Sequence, residues 1–404
     1  MDLSYGPEYD VFREEVKSFL ADNWPLKGDE GKGPIEEQAR TFVMRSTEAG
    51  YLLRWIPRKY GGSEQEADDI KATIIREEYG RAKAPMEPRG IGMMMLVPTL
   101  LERGEEWQKD MFIPKSVTGE YRWCQGYSEP SSGSDLASLR TRGELDGDEW
   151  VINGQKIWTT SAMEADYMFC LVRTEPDAPK HAGISYLLIP MKQDGIEVRP
   201  LKQMNGGAEF NEVFFTDART KKDWIVGKRG EGWLVSRTTL KHERAGIGNA
   251  QGSAALLENL VRLAQESTRN GKLAIEDPEI RQRLVALEGF VRSHEYSSLR
   301  QSSRARNGKD SGRVSLMNKI VSTNIGCEGS KLALDILGDD GMVDPSAEVG
   351  DLPGMGGNQG WLSQYMMSLG IAIAGGSANI QRNVIGERAL GLPRDYYAQR
   401  SSGK

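Results

Sequence analysis

Three stretches of this chain carry side chains that can do chemistry. The first is a polar run, Cys124-Gln125-Gly126-Tyr127-Ser128-Glu129-Pro130-Ser131-Ser132-Gly133-Ser134-Asp135. The second is Asn153-Gly154-Gln155-Lys156-Ile157-Trp158-Thr159-Thr160, and the third is Leu240-Lys241-His242-Glu243-Arg244-Ala245-Gly246. Hydroxyl and amide donors can stabilise charge that develops on a ligand, and a carboxylate can remove a weakly acidic proton once it is desolvated enough to be basic. Taken singly, none of these stretches is diagnostic. A glutamate on a helix is more often a solvated surface residue, and an indole on a strand more often belongs to a core. Cys124, Cys170 and Cys327 lie far apart, with no CxxC pair or His spacing, so they offer no metal or disulfide framework and read as reduced, buried thiols. His242 and His294 have no partner spacing and read as structural. Gly354, Gly356, Gly357 and Gly360 follow no strand, so they fail the context test for a dinucleotide-binding turn and read as a surface loop.

The elements that must hold these residues show in the hydrophobic period. From Tyr9 to about Glu120 the spacing is helical, with Phe12, Val16 and Phe19 on one face and a further helix over Ile70 to Tyr79. Between Tyr121 and about Trp233 the pattern changes to short apolar runs: Trp150 to Ile152, Tyr167 to Val172, Ile184 to Ile189 and Val213 to Phe215. Asp146-Gly147 and Asn153-Gly154 punctuate them as turn signals, which predicts an antiparallel β-barrel or sandwich. After Gly232 the helical period returns in Leu256, Leu260, Val261 and Leu263, then in Ile280, Leu284, Leu287 and Val291. Long antiparallel helices follow from it. The charged stretch Arg304 to Arg313 reads as a solvated helix connection. An α+β chain is expected, with an N-terminal helical domain over 1–120, a central β domain over 121–235 and a C-terminal helical bundle over 236–404. The order α, β, α without βαβ alternation excludes a doubly wound fold.

At 404 residues, two or three subdomains are expected and burial is not limiting. Hydrophobic residues make up 38% and charged residues 27%, and no run approaches the roughly 18 apolar residues of a membrane helix. Met1 to Asn23 has neither the apolar run of a secretory signal nor the makeup of a transit peptide, so cytoplasmic residence is expected. A formal charge of −6 with dispersed Lys and Arg gives no basic face for nucleic acid.

Together the motifs resemble the acyl-CoA dehydrogenase family. In that family the first stretch reads Thr/Ser-Glu-Pro-x-x-Gly-Ser-Asp and the second Asn-Gly-x-Lys-x-Trp-Ile-Thr, in this order and at this separation. Tyr60-Gly61-Gly62, Asn211-Glu212-Val213-Phe214-Phe215 and Ile380-Gln381-Arg382 extend the likeness over essentially the whole chain. The resemblance implies FAD as cofactor and α,β-dehydrogenation of an acyl-CoA thioester to the trans-2-enoyl-CoA, a step of lipid metabolism and β-oxidation.

Ser128 is then implied to donate near the pyrimidine edge of the flavin, Thr160 to sit by N5 and Trp158 to cover the ring face away from the substrate. Gln125 and Tyr127 bracket Ser128 and are implied to serve the flavin too. Gly133 and Ser134 correspond to a place beside the coenzyme A phosphopantetheine or the flavin phosphates; the alternative is an ordinary serine turn. The commoner family base lies in a Tyr-Glu-Gly-Thr stretch, which here reads Ala374-Gly375-Gly376-Ser377 and has no glutamate. Long-chain and isovaleryl-type members instead take the base from a Glu-Arg pair on the first helix after the β domain, and this chain has it at Glu243-Arg244. The resemblance therefore implies Glu243 as base and the Gly375 N–H as donor to the thioester carbonyl. Ala374 and Gly375 remove bulk beside the acyl chain, which points to a long, branched or cyclic acyl group, and Gly246 and Gly248 either widen that wall or serve helix packing. Arg244 either holds the Glu243 helix or lies near coenzyme A.

Family members bind FAD across a dimer interface. Arg269 approximates the arginine that reaches the neighbour's cofactor. The family's Gln-x-x-Gly-Gly becomes Asp335-Ile336-Leu337-Gly338-Asp339, which keeps Gly338 but puts a carboxylate where it would repel a pyrophosphate. Ser377 and Asn379 retain hydrogen-bonding capacity for the adenosine half. A dimer of dimers, homomeric or with a related subunit, and an electron-transfer flavoprotein as acceptor are implied. The same fold also hosts acyl-CoA oxidases, flavin monooxygenases and non-catalytic partner subunits.

Overall fold

Helical period becomes helix at the start of the chain. Phe12, Val16 and Leu20 fall on one stripe of α1 (Pro7–Asn23) and are buried. Helix α2 (Ile35–Glu48) buries Phe42, and α3 (Asp69–Arg81) begins where the Asp68 side chain accepts from the N–H groups of Ile70 and Lys71. A π-helical turn, Gly92–Leu96, runs into α4 (Val97–Arg103), followed by α5 (Glu106–Val117). The structure is a computed structural model and describes residues 6–306, 313–342 and 360–393.

The central strands are β1 (Trp123–Gly126), β2 (Arg142–Asp146), β3 (Glu149–Thr160), β4 (Tyr167–Arg173), β5 (Ile184–Pro190), β6 (Ile196–Pro200) and β7 (Phe210–Lys221). They form one sheet in the order β1-β4-β2-β3-β7-β6, with β5 also pairing β4. Asp146-Gly147 makes the β2–β3 turn, as expected. Two features differ from the expectation. The sheet is mixed, because β1 runs parallel to β4, and β2 meets β4 in parallel at Arg142 and Arg173. The β2–β3 hairpin lies between β1 and β4 in sequence, so the chain returns in the same direction. Asn153-Gly154 is not a turn but lies inside β3 opposite a bulge in β7, where the register shifts between Ile152 and Gly154. Gly154 has φ +149, and a Cβ there would lie 2.7 Å from Thr141 Cα, while Asn153 Nδ2 donates to Asp217 at 2.9 Å. Close backbone approach explains the glycine.

Five helices of the C-terminal region matter for the site: α6 (Gly232–Ile247), α7 (Ala250–Glu266), α8 (Pro278–Arg306), α9 (Asn318–Leu337) and α10 (Trp361–Ile371). A short α11 (Ala378–Val384) follows, and a two-residue ribbon of β8 (Thr268–Arg269) and β9 (Lys272–Leu273) joins α7 to α8. Leu260 of α7, Ile280, Leu284, Leu287 and Val291 of α8, and Leu332 of α9 share one core. A second core joins the N-terminal helices to the sheet and to α6 through Leu96, Phe112, Phe169, Tyr186 and Val235. Helix α6 is thus packed from both sides, which fixes what it presents. No described helix is long and apolar enough to cross a membrane. Gly354, Gly356 and Gly357 and the middle of the Arg304 to Arg313 stretch lie outside the described residues.

Candidate active site

The polar loop after β1 is pinned to β3 by a buried ion pair. Lys156 is 0% exposed, and its Nζ donates to Glu129 Oε1 at 2.9 Å and to the Tyr127 carbonyl at 3.1 Å. Glu129 also accepts from the N–H groups of Arg140, at 2.6 Å, and Thr141, at 2.8 Å. Burial works to lift its carboxyl, yet Lys156 and these donors prevail and hold it below the ordinary carboxylate range. The Ile157 N–H donates to the Ser128 carbonyl at 2.9 Å. Every backbone carbonyl from Tyr127 to Ser128 is therefore committed to the scaffold, and the Ser128 side chain is held half-buried at its edge. Glu129 and Lys156 stand inside the two sequence motifs, which by themselves assign neither a role. The signal was available: counting by twos from Trp150 and Ile152 puts Lys156 on the inward face, where a lysine demands a carboxylate.

The same count would place Trp158 inward as well, and the structure does not. A second register shift between Lys156 and Thr159 turns the strand over. Thr159 is buried with an Oγ1 that has no hydrogen-bond partner, while Trp158 is 59% exposed at φ +60. An aromatic residue in the left-handed region is strained, and such strain persists where the surroundings over-determine it. The indole meets Phe210 edge-on, with centroids 6.0 Å apart. Thr160 ends the strand opposite Phe210, half-buried.

Glu243 lies on α6, within the last two turns. Its Oε2 is buried without a hydrogen-bond partner among the described residues. Burial pushes its carboxyl above the ordinary value, against the opposing charges of Arg244 and Lys319. Gly375 stands directly beside it: a Cβ placed on Gly375 would lie 3.7 Å from Glu243 Oε1 and 2.7 Å from Ile247 Cδ1. Gly375 has φ +62 and Gly376 φ +94, so the turn after α10 needs glycine on conformational grounds too. A side chain at 375 would run into Ile247 and toward the carboxylate, so the two stretches singled out in the sequence meet at one place. A Cβ on Gly246 would lie 2.9 Å from the flexible end of Met94 in the π-helical turn. Gly248 instead packs against Asn318, with its Cβ position 2.9 Å from Asn318 Cβ. Below the carboxylate, buried hydroxyls link α4 to α6: Thr99 Oγ1 donates to Thr239 Oγ1 at 2.9 Å, and Thr239 lies 3.4 Å from the Tyr186 hydroxyl. Tyr127 is buried nearby with an unpartnered hydroxyl, raised well above its ordinary pKa by burial.

The remaining sites fall elsewhere. Gly133 and Ser134 are exposed in the loop, and a Cβ on Gly133 would meet nothing. Gln125 is half-buried on β1. Arg244 is half-buried beside Glu243, while Ala374 is exposed next to Gly375. Ser377 caps α11, and Asn379 Oδ1 accepts from Arg382 at 3.2 Å. Arg269 lies on the ribbon with a buried Nη1 that makes no hydrogen bond and stands 3.6 Å from Asp277. Gly338 closes α9 at φ +57. Asp335 is paired with Arg283 Nη2 at 2.7 Å, so its charge is met within the chain. His242 Nε2 donates to Glu102 Oε1 at 2.7 Å, and His294 contacts Ser253 at 3.2 Å.

Family models match three consecutive stretches of the chain: the acyl-CoA dehydrogenase N-terminal domain at 6–120, the middle domain at 124–218 and the C-terminal domain at 230–390. The chain belongs to the acyl-CoA dehydrogenase family, whose members are generally flavoproteins. Acyl-CoA dehydrogenase IpdE1 of Mycobacterium tuberculosis is 39% identical to it over 401 residues, covering 96% of this chain and 99% of the relative. Among solved structures, the Tcur3481-Tcur3483 steroid ACAD is 28% identical with a TM-score of 0.75, covering 98% of this chain and 100% of that one. The ChsE4-ChsE5 complex from Mycobacterium tuberculosis is 27% identical with a TM-score of 0.74, at 98% and 100% coverage.

Proposed function

We propose that the protein is an FAD-dependent dehydrogenase that introduces a trans double bond between the α and β carbons of an acyl-CoA thioester, with Glu243 as base. The observation that supports this most is the buried, unpartnered Glu243 Oε2 beside the Gly375–Gly376 turn. An acid whose carboxylate is left without a donor is basic enough to take a weakly acidic proton. In this reading Glu243 Oε2 takes the α proton, while the Gly375 N–H donates to the thioester carbonyl and stabilises the negative charge that gathers there. Proton and hydride leave adjacent carbons, and the pair of electrons from the α C–H bond becomes the new double bond.

Several residues of this chain fit a flavin. Thr159 Oγ1 and Arg269 Nη1 are buried polar atoms without hydrogen-bond partners, and the bulge holds the Trp158 indole exposed at a backbone angle it does not favour. Ser128, Thr160 and Trp158 would hold the ring system, Gln125, Tyr127, Gly133 and Ser134 its surroundings, and Arg269, Gly338, Ser377 and Asn379 the phosphate and adenosine parts. When bound, FAD supplies the acceptor for the β hydride. Ser134, Arg244 and Ala374 would line the path of the thioester. An electron-transfer flavoprotein is the proposed acceptor, and the three matched stretches are proposed as domains close to 1–120, 121–235 and 236–404. Assembly as a homo-oligomer or with a related subunit is proposed, and the likeness to a complex of ChsE4 and ChsE5 supports the second.

The test is anaerobic mixing of the purified protein with a panel of straight, branched and cyclic acyl-CoA thioesters. Loss of the oxidised flavin band with at least one of them is expected. A protein that binds FAD and bleaches with none would contradict the reading.

A further inference from the structure

We infer that Lys319 is a positioning residue that holds the Gly375–Gly376 turn against Glu243. This rests on the reading of Glu243 and Gly375 given above. Lys319 sits in the first turn of α9 and is 3% exposed. Its Nζ donates to the Gly376 carbonyl at 2.9 Å and reaches the Ala372 carbonyl at 3.4 Å. No carboxylate lies within ion-pair distance of it among the described residues. A buried ammonium is costly unless its donors are used, and here they are used on two carbonyls of one turn. That turn is the segment that carries the Gly375 N–H and closes against Glu243.

The start of the turn is held by the Ile373 and Ala374 N–H groups, which donate to the Gly370 carbonyl at 2.9 and 3.0 Å, while the two glycines have fewer ties. Gln381 Nε2 donates to the Gly375 carbonyl at 3.3 Å, and the Ala378 N–H to the Ala372 carbonyl at 3.1 Å. Two consecutive glycines at positive φ leave the backbone free to rotate unless their carbonyls are fixed. Binding Gly376 O and Ala372 O from the far side fixes the peptide planes and with them the direction of the Gly375 N–H. The same ammonium acts on Glu243 through space and, with Arg244, opposes the lift that burial gives to the carboxyl. The charged and titratable groups that face Glu243 are therefore Arg244 from its own helix, Lys319 from α9 and Tyr127 from the loop after β1. Lys319 thus does two things: it aims the donor and it opposes protonation of the base.

The two can be separated in the purified protein. The carboxyl stretch of Glu243 is followed by infrared difference spectroscopy across pH, assigned as the band absent from Glu243→Gln, and no substrate is needed. Lys319→Met should move the midpoint of that band up, because the charge that opposes protonation is gone. Gln381→Leu, which loosens the same turn without removing a charge, should leave the midpoint in place. With a bleaching acyl-CoA, Lys319→Met should lower kcat about 100-fold with KM nearly unchanged, because a misdirected donor is felt in the transition state. If Lys319→Met does not fold, Lys319→Gln is read in the same way. An unmoved midpoint, or a rise in KM at constant kcat, overturns the inference. Should no acyl-CoA bleach the protein, the functional reading falls while the titration still decides the role of Lys319.

Discussion

Two glutamates with buried carboxylate oxygens have opposite surroundings in this molecule. Glu129 accepts from a lysine and two backbone N–H groups, and its carboxyl is held below the ordinary range. Glu243 leaves one oxygen buried and unpartnered, and its carboxyl is lifted. The first is satisfied and ties a loop to a strand; the second, the proposed base, is not satisfied. Burial alone does not tell a structural carboxylate from one proposed to act on substrate. What tells them apart is whether the donors that burial demands have been supplied.

The comparison predicts unlike responses to unlike changes. The largest concerns turnover: Glu243→Gln should retain flavin but lower the rate of bleaching by acyl-CoA about 1,000-fold or more, read by anaerobic stopped flow. Equal rates would erase the distinction between the two acids. Next, Lys156→Met should destabilise the protein by about 3 to 5 kcal/mol, since it leaves Glu129 buried without its counter-charge. Adding Glu129→Gln should recover part of that loss in urea denaturation, whereas a full additive loss would mean that the pair is not coupled.

The third prediction is the pH limb. Glu243 must be ionised to act and its value is raised, so kcat/KM should fall as pH drops through a midpoint above 4.5. The smallest effect is on stability. A raised carboxyl disfavours its own ionised form in the fold, so the cost is present above the raised value and vanishes below the ordinary one. Glu243→Gln should therefore raise Tm by about 1 to 2 °C at neutral pH and not at pH 4.

Much of this could be read from the residues, and the parts that could not share a cause. Helices α7 and α8 follow from their period, because a stripe of leucines is a local property. Strands β3, β4, β5 and β7 follow from apolar runs. Trp158 defeats the same logic, since a bulge flips the alternation and no local count announces it. Asn153-Gly154 carries the composition of a turn but serves a close approach to Thr141, which is a tertiary fact. The parallel pairing of β1 with β4 is likewise set by distant chain. At the site, the loss of glutamate from the Tyr-Glu-Gly-Thr position and its gain at Glu243 suggested that two remote stretches belong together, and the geometry of Gly375 gives the steric reason. Lys319 went unnoticed because a lysine in a helix reads as solvated until its burial and its carbonyl partners are seen.

The central claim is that Glu243 removes the α proton, and proton removal can be watched alone. A thioester with sulfur in place of the β carbon has no β hydrogen to give up, so its α hydrogens report deprotonation without oxidation. In deuterium oxide, with the flavin-loaded protein, proton NMR should show these hydrogens exchanging with solvent, and Glu243→Gln should abolish that exchange. Exchange at the same rate in the variant would contradict the account.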